Sequence, residues 1–195
     1  MLSLHEIIDL VIMTAALGYI FKDTFQREEY HGYDPLKALK HITHSTEWQD
    51  FKFAALITAP AIIFHEMSHK FVALGFGLQA TFHASYQFLG LGIFLKLINF
   101  PFIFFVPGYV SHSGAATYLQ SAMISGAGPF MNLALWLGCY GLLQSKLFTK
   151  KYKKWHNAIF LSSKINQFLF VFNMLPIPGF DGAQFYISLY HAIFG

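Results

Sequence analysis

The sequence predicts an all-α polytopic membrane protein with about 4–5 transmembrane helices and a short re-entrant β-like segment. Three observations carry that prediction. The 195 residues are 55% hydrophobic and only 12% charged, whereas a soluble domain carries about 25% charge. The apolar residues fall in long runs rather than alternating. The mean hydropathy is +0.45. This composition excludes a disordered chain, an acidic tail and a highly charged coiled coil. A net charge of only +3 gives no footprint for nucleic acid as a partner. The single cysteine, Cys139, excludes an internal disulfide and a Cys-x-x-Cys zinc knuckle.

The elements follow in order along one membrane-embedded domain, residues 1–195. Residues 1–50 form a first helix and a polar loop, 51–182 a core, and 183–195 a short C-terminal helix. Residues 3–21 are the first apolar run, and His5, Glu6 and Asp9 lie near its start. An acidic leading end and Phe21-Lys22-Asp23 do not fit a cleaved signal peptide, so the run reads as a retained helix. Residues 22–50 are polar, and Pro35 opens a short surface helix to His44. Residues 51–77 are the second long run and end at Gly75-Phe76-Gly77. Residues 81–108 are apolar but broken by Gly90, Gly92, Pro101 and Pro107. Their aromatic and β-branched stretch 100–106 is strand-like. In lipid it must be a buried hairpin or a re-entrant segment, because an open strand edge is not tolerated there. Residues 118–143 are a third span. Residues 144–156 are a loop with Lys146, Lys150, Lys151, Lys153 and Lys154, which reads as an anchor at lipid headgroups. Residues 157–175 are a fourth span, stopped by Pro176-Ile177-Pro178-Gly179. Residues 183–195 are too short to cross as a helix.

The most polar cluster in any apolar run is His65-Glu66-Met67-Ser68-His69. Helical positions i and i+4 share a face, so both imidazoles can reach one ion. Zinc accepts imidazole nitrogen and carboxylate oxygen and lowers the pKa of a coordinated water to roughly 7. Glu66 is placed to take a proton from that water. A catalytic zinc needs a third ligand. Asp181 is the acidic residue embedded among apolar ones late in the chain, after a broken helix end. His65 and His69 lie 13 to 17 residues past Lys52, roughly 20–26 Å along a helix. Asn173 lies 16 residues past Asn157, at a similar depth, and the spacing permits convergence.

HEMSH (65–69), GPFMN (128–132) and NMLPIPGFDG (173–182) resemble the three signatures of the site-2 protease family of intramembrane zinc metalloproteases. Their order and spacing match from about residue 51 to 182. Phe180 stands where that family commonly has Leu, and Ala183 where it has a second Gly. Residues 106–110 are similar to the family's re-entrant β segment. The resemblance implies one Zn2+ per chain, bound by His65, His69 and Asp181, with Glu66 as general base. It implies that Asn132 holds the substrate carbonyl or oxyanion, and that Asn173 pins the unwound end of the fourth helix. Pro176, Gly128 and Pro129 are expected in support. The implied activity is endopeptidase cleavage of transmembrane segments in membrane-protein substrates by a multi-pass protein of the lipid bilayer. An extended, aromatic segment at 100–106 would offer an edge for the unwound substrate.

Other features read more plainly. His41, His44 and Glu47 share a helical face that is ordinarily solvated, with a second metal site as the alternative. His83 and His112 flank the broken segment as interface residues, with a place along the water path as the alternative. Gly126 and Gly128 permit close helix packing, and Pro129 is a candidate kink that places Asn132. The positive-inside rule puts the two basic loops in the cytosol, whereas the resemblance opens the site towards the cytosol from the far helix ends. The two signals oppose each other, so orientation stays open. An aspartyl intramembrane protease would pair Asp9 with Asp181, but the motif around Asp9 is wrong. The serine candidates Met123-Ile124-Ser125-Gly126 and Ser111-His112-Ser113-Gly114 lack the leading Gly. The other zinc membrane protease type needs a later intramembrane Glu, and none follows Glu66. The remaining alternative is a metal-binding, transport or scaffold protein, which has no use for Glu66 beside a histidine pair.

Overall fold

The computed structural model describes residues 2–25, 47–100 and 108–195. Among these residues the order is α1 (Leu4–Phe21), α2 (Glu47–Gly75), β1 (Gln79–Ala84), α3 (Tyr86–Leu97), β2 (Gly108–Ser113) and α4 (Tyr118–Gln144). There follow α5 (Lys146–Lys151), a 3-10 turn (Lys153–Trp155), α6 (His156–Asn173) and α7 (Asp181–Phe194). Helix α4 packs against α2, α6 and α7, and α1 packs against α2, β1 and α3.

Local chemistry sets the helix starts. The Ser3 hydroxyl accepts the Glu6 N–H at 3.3 Å, and the Glu6 carboxylate accepts the Ser3 N–H at 2.8 Å. Thr117 and Gln120 form the same reciprocal cap on α4. Each box satisfies donors that a helix start leaves without partners. At its far end α1 is held by Lys96 of α3, whose ammonium binds the carbonyls of Tyr19 and Ile20. A cation at a helix C-terminus also opposes the negative end of the helix dipole.

Helix α1 has an inverted polarity. It buries Glu6, Asp9, Met13, Leu17 and Ile20, spaced three or four residues apart on one face. It exposes Leu4, Ile7, Ile8, Val11 and Ile12. The buried face meets one apolar core built from Met13, Leu17, Ala59, Met67, Phe82 and Leu89. Four elements supply those residues, so α1, α2, the hairpin and α3 share a single packing unit.

The two strands pair antiparallel, from Gln79↔Ser113 to Ala84↔Gly108. The strand-like stretch at 100–106 falls almost wholly outside the described residues, as does the short helix from Pro35 to His44. Among the described residues, the paired β structure lies on either side of α3. Helix α3 itself was not separable in the sequence from its Gly-broken surroundings. His83 and His112 are hairpin residues, paired with Tyr109 and Ala80, and the His83 ring meets Ser111 Oγ at 3.1 Å.

Among the described residues, two helices, α1 and α4, are long and apolar enough to cross a membrane. Helix α2 spans 29 residues, about 43 Å at 1.5 Å per residue, but carries the polar cluster. Pro129 lies inside the continuous helix α4. Its missing N–H frees the carbonyl of Ser125 from the helical ladder.

Candidate metal centre

Three elements bring the site together. Helix α2 presents His65 and His69 one turn apart, with ring centroids 4.8 Å apart. Helix α4 crosses behind them. The turn after α6 delivers Asp181 as the first residue of α7. Gly182 makes that delivery possible, because a Cβ there would lie 2.6 Å from the Met174 carbonyl oxygen.

Asp181 Oδ2 lies 3.0 Å from His65 Nε2 and 3.3 Å from His69 Nε2. The two Nε2 atoms are 3.1 Å apart. The opposite ring nitrogens are engaged elsewhere. His69 Nδ1 meets the Ile124 carbonyl at 2.6 Å, and His65 Nδ1 meets Asn132 Oδ1 at 2.6 Å. A backbone carbonyl only accepts, so His69 carries its proton on Nδ1. The Asn132 amide is oriented by its other end, since Nδ2 donates to the Ala61 carbonyl at 3.0 Å. Oδ1 therefore faces His65 and draws that proton to Nδ1 as well. Both Nε2 atoms are left as acceptors, aimed with a carboxylate oxygen at one point. Three converging lone pairs call for a cation.

The donor set fits zinc. Two imidazoles and one carboxylate are a catalytic-type ligand set with a position left for water. In a tetrahedron with bonds of roughly 2.0–2.1 Å, ligand atoms lie about 3.4 Å apart, close to the separations observed. Gly128 completes the fit. A Cβ there would lie 2.6 Å from His65 Nε2 and closer still to His69 Nε2, so only a residue without a side chain lets α4 pass this near the rings.

Asn132 is fully buried. Its Nδ2 also donates to Asn166 Oδ1 at 2.9 Å, and Asn166 Nδ2 donates to the Ser162 carbonyl at 2.8 Å. Both amide protons of Asn132 are thus committed inside the protein. In this arrangement the Nδ2 protons that an oxyanion role would use are taken up by Ala61 and Asn166, and Oδ1 meets His65. Asn166 escaped the sequence reading. A buried polar residue seven positions before Asn173, on the same face of an apolar helix, was the available signal.

Glu66 is buried at 6% exposure and lines a cavity of about 620 Å³ that also reaches His65, His69, Asp181 and Asn173. Tyr109, Val110 and His112 of β2 form part of its wall. Asn173 is the last residue of α6. Pro176 is exposed in the turn that follows, and Pro129 is buried beside Gly128. Glu47 begins α2 and pairs with Lys22. His41 and His44 lie outside the described residues.

A curated protein of Methanocaldococcus jannaschii bearing the name "Putative zinc metalloprotease" is 34% identical to this chain over 183 residues. The match covers 93% of this chain and 83% of that protein. No family model matches the chain, and no solved structure matches it.

Proposed function

The chain belongs to the family of that Methanocaldococcus jannaschii protein, and on this premise we propose that it is an intramembrane endopeptidase of the site-2 protease type. It would hold one zinc ion per chain and cleave transmembrane segments of other membrane proteins. The observation that carries the reading is the convergence of His65, His69 and Asp181 beside Glu66, inside a cavity between helices that expose apolar side chains.

The surfaces support a bilayer setting. A helix that buries Glu6 and Asp9 while exposing Ile7, Ile8, Val11 and Ile12 suits lipid outside and polar partners inside. In this reading α1, α2, α4 and α6 cross the membrane. Helix α7, with 14 residues, is about 21 Å long and too short to span.

The residues divide the work. His65, His69 and Asp181 would hold zinc, with Asn132 and the Ile124 carbonyl fixing the ring orientations. Bound there, zinc supplies Lewis acidity, lowering the pKa of a water from near 16 to roughly 7 and polarising a carbonyl. The Glu66 carboxylate takes a proton from the attacking water and returns it to the leaving amine nitrogen. The cavity admits water to a depth where lipid excludes it. A helical substrate hides its carbonyls in its own hydrogen bonds, so it must unwind before attack. Strand β2, on the cavity wall, offers an edge to the extended segment.

The test is zinc content per chain in detergent-purified protein, together with peptidase turnover. Wild type and Glu66→Gln should each hold close to one zinc. His65→Ala and Asp181→Ala should lose it. Glu66→Gln should lower turnover by about 10²–10⁴-fold. Zinc that is indifferent to Asp181, or turnover that survives Glu66→Gln, would reject the reading and favour a metal-binding or scaffold protein.

A further inference from the structure

Buried polar groups that the metal centre does not use gather where α1 meets the hairpin. Glu6 and Asp9 are 2% and 1% exposed. Glu6 Oε1 accepts the Phe82 N–H at 2.8 Å and binds the Lys70 ammonium. Asp9 Oδ2 accepts the Ala84 N–H at 3.1 Å, and its Oδ1 accepts the Tyr86 hydroxyl. Phe82 and Ala84 are alternate residues of β1. Two carboxylates of a helix therefore stand where a neighbouring strand would stand.

Antiparallel pairing then dictates the other edge. Backbone groups along a strand alternate between facing the partner and facing away. Phe82 lies opposite Val110, and Ala80 opposite His112. Amides of β1 turned towards α1 make these the non-hydrogen-bonded pairs. Val110 and His112 consequently turn their own N–H and C=O groups away from β1. Both residues line the cavity that holds His65, Glu66 and His69. One edge of the hairpin is closed by carboxylates, and among the described residues the other is open beside the metal centre. Lys70 directly follows His69, so the same clasp ties the hairpin to the helix that carries the histidine pair.

We propose that Glu6 and Asp9 are positioning residues for the peptidase reaction: by occupying the Phe82 and Ala84 amides and Lys70, they hold the free edge of β2 against the metal cavity for an unwound, apolar substrate segment to join as a strand. The proposal rests on the peptidase reading above. Edge addition supplies main-chain hydrogen bonds that do not depend on sequence. Its value depends on the edge being held still, which a two-stranded ribbon does not manage alone.

The experiment uses the full chain in detergent micelles, with fluorescently labelled casein as an unfolded probe substrate. Three variants are compared with wild type: Asp9→Ala, Asp9→Asn and the double Glu6→Leu/Lys70→Met, which removes both charges together, so that no buried charge is left unpaired, and releases the Phe82 N–H. Zinc content, hydrogen exchange of peptides covering 79–85, and kcat and KM are measured on each. Asp9→Ala and the double variant should keep wild-type zinc, exchange the 79–85 amides at least tenfold faster, and raise KM tenfold or more with kcat within threefold. Asp9→Asn keeps an acceptor and should restore both exchange and KM. Unchanged exchange would overturn the clasp. Faster exchange with unchanged KM would overturn its role towards substrate. Loss of zinc in the double variant would make the pair a support for α2 instead. Casein left intact by wild type as by Glu66→Gln would fail the peptidase reading and with it the role towards substrate, and the exchange measurement would still decide the clasp.

Discussion

Two buried polar clusters sit next to each other on α2, and they are built on opposite rules. At Glu6, Asp9, Lys70 and Tyr86 every acceptor meets a donor: a carboxylate meets an ammonium, a hydroxyl or a backbone amide. At His65, His69 and Asp181 three acceptors meet one another, because Asn132 and the Ile124 carbonyl draw the ring protons to the far side. The first cluster is complete without a ligand. The second leaves three acceptors converging on one point, an arrangement compatible with a bound metal ion. Burial and polarity are common to both, so neither marks function. The mark is whether the hydrogen-bond valences close within the protein.

Glu6 is the residue whose loss should cost the most. Replacing it with Ala leaves the Lys70 ammonium, 2% exposed, without its counterion. Removing one partner of a buried pair costs about 3–5 kcal/mol, whereas removing both in favour of apolar side chains is often neutral. Glu6→Ala should therefore unfold at much lower denaturant, and Glu6→Leu/Lys70→Met should return near the wild-type midpoint. Equal destabilisation of both variants would mean that Glu6 acts through Phe82 and Ser3 and not through the charge pair.

At the histidine pair the expected effect is smaller. Asn132 touches no ligand position but sets the tautomer of His65. Loss of such an orienting partner typically weakens metal binding about 10–100-fold. Asn132→Ala should show that loss in chelator competition, with the fold intact. Asn166→Ala should show less, because Asn166 acts only through Asn132. Zinc affinity unaffected by Asn132→Ala would free that amide for the oxyanion role that the sequence suggested.

The convergence of His65, His69 and Asp181 was legible in the sequence and the clasp was not, for the same reason. His65, Glu66 and His69 belong to a local spacing on one helix, and local spacing is what a sequence displays. Asp181 was legible as an acid stranded among apolar residues beside a helix break. The long runs that became α1, α2, α4 and α6 were legible from length alone. Glu6 and Asp9 looked like residues of a helix start. Their partners Phe82, Ala84 and Lys70 lie more than 60 positions away, a pairing no periodicity reveals. Strand β1 carried a faint signal, since Ala80, Phe82 and Ala84 alternate inward. Helix α3 carried none, because Gly90 and Gly92 interrupt the pattern that would set it apart from a loop.

The smallest expected effect isolates burial as the variable. Lys22 and Glu47 repeat the chemistry of Lys70 and Glu6 at 2.8 Å, but the Glu47 side chain is 86% exposed. Water screens that pair and leaves little to lose. The hydrogen bond to the Glu47 carboxylate holds the Lys22 ammonium above its ordinary 10.5. A raised folded-state value means that the contribution is fully present below about 10.5 and disappears as pH climbs through the raised value. Lys22→Ala should leave Tm at neutral pH within about 2 °C of wild type. Whatever difference exists should vanish in strongly alkaline solution, and zinc content should not move. If Lys22→Ala instead destabilised the protein as much as Glu6→Ala, the low-dielectric surroundings of the α1 clasp could not be what separates the two pairs. Their shared role in fixing α1 to α2 would then have to carry the energy.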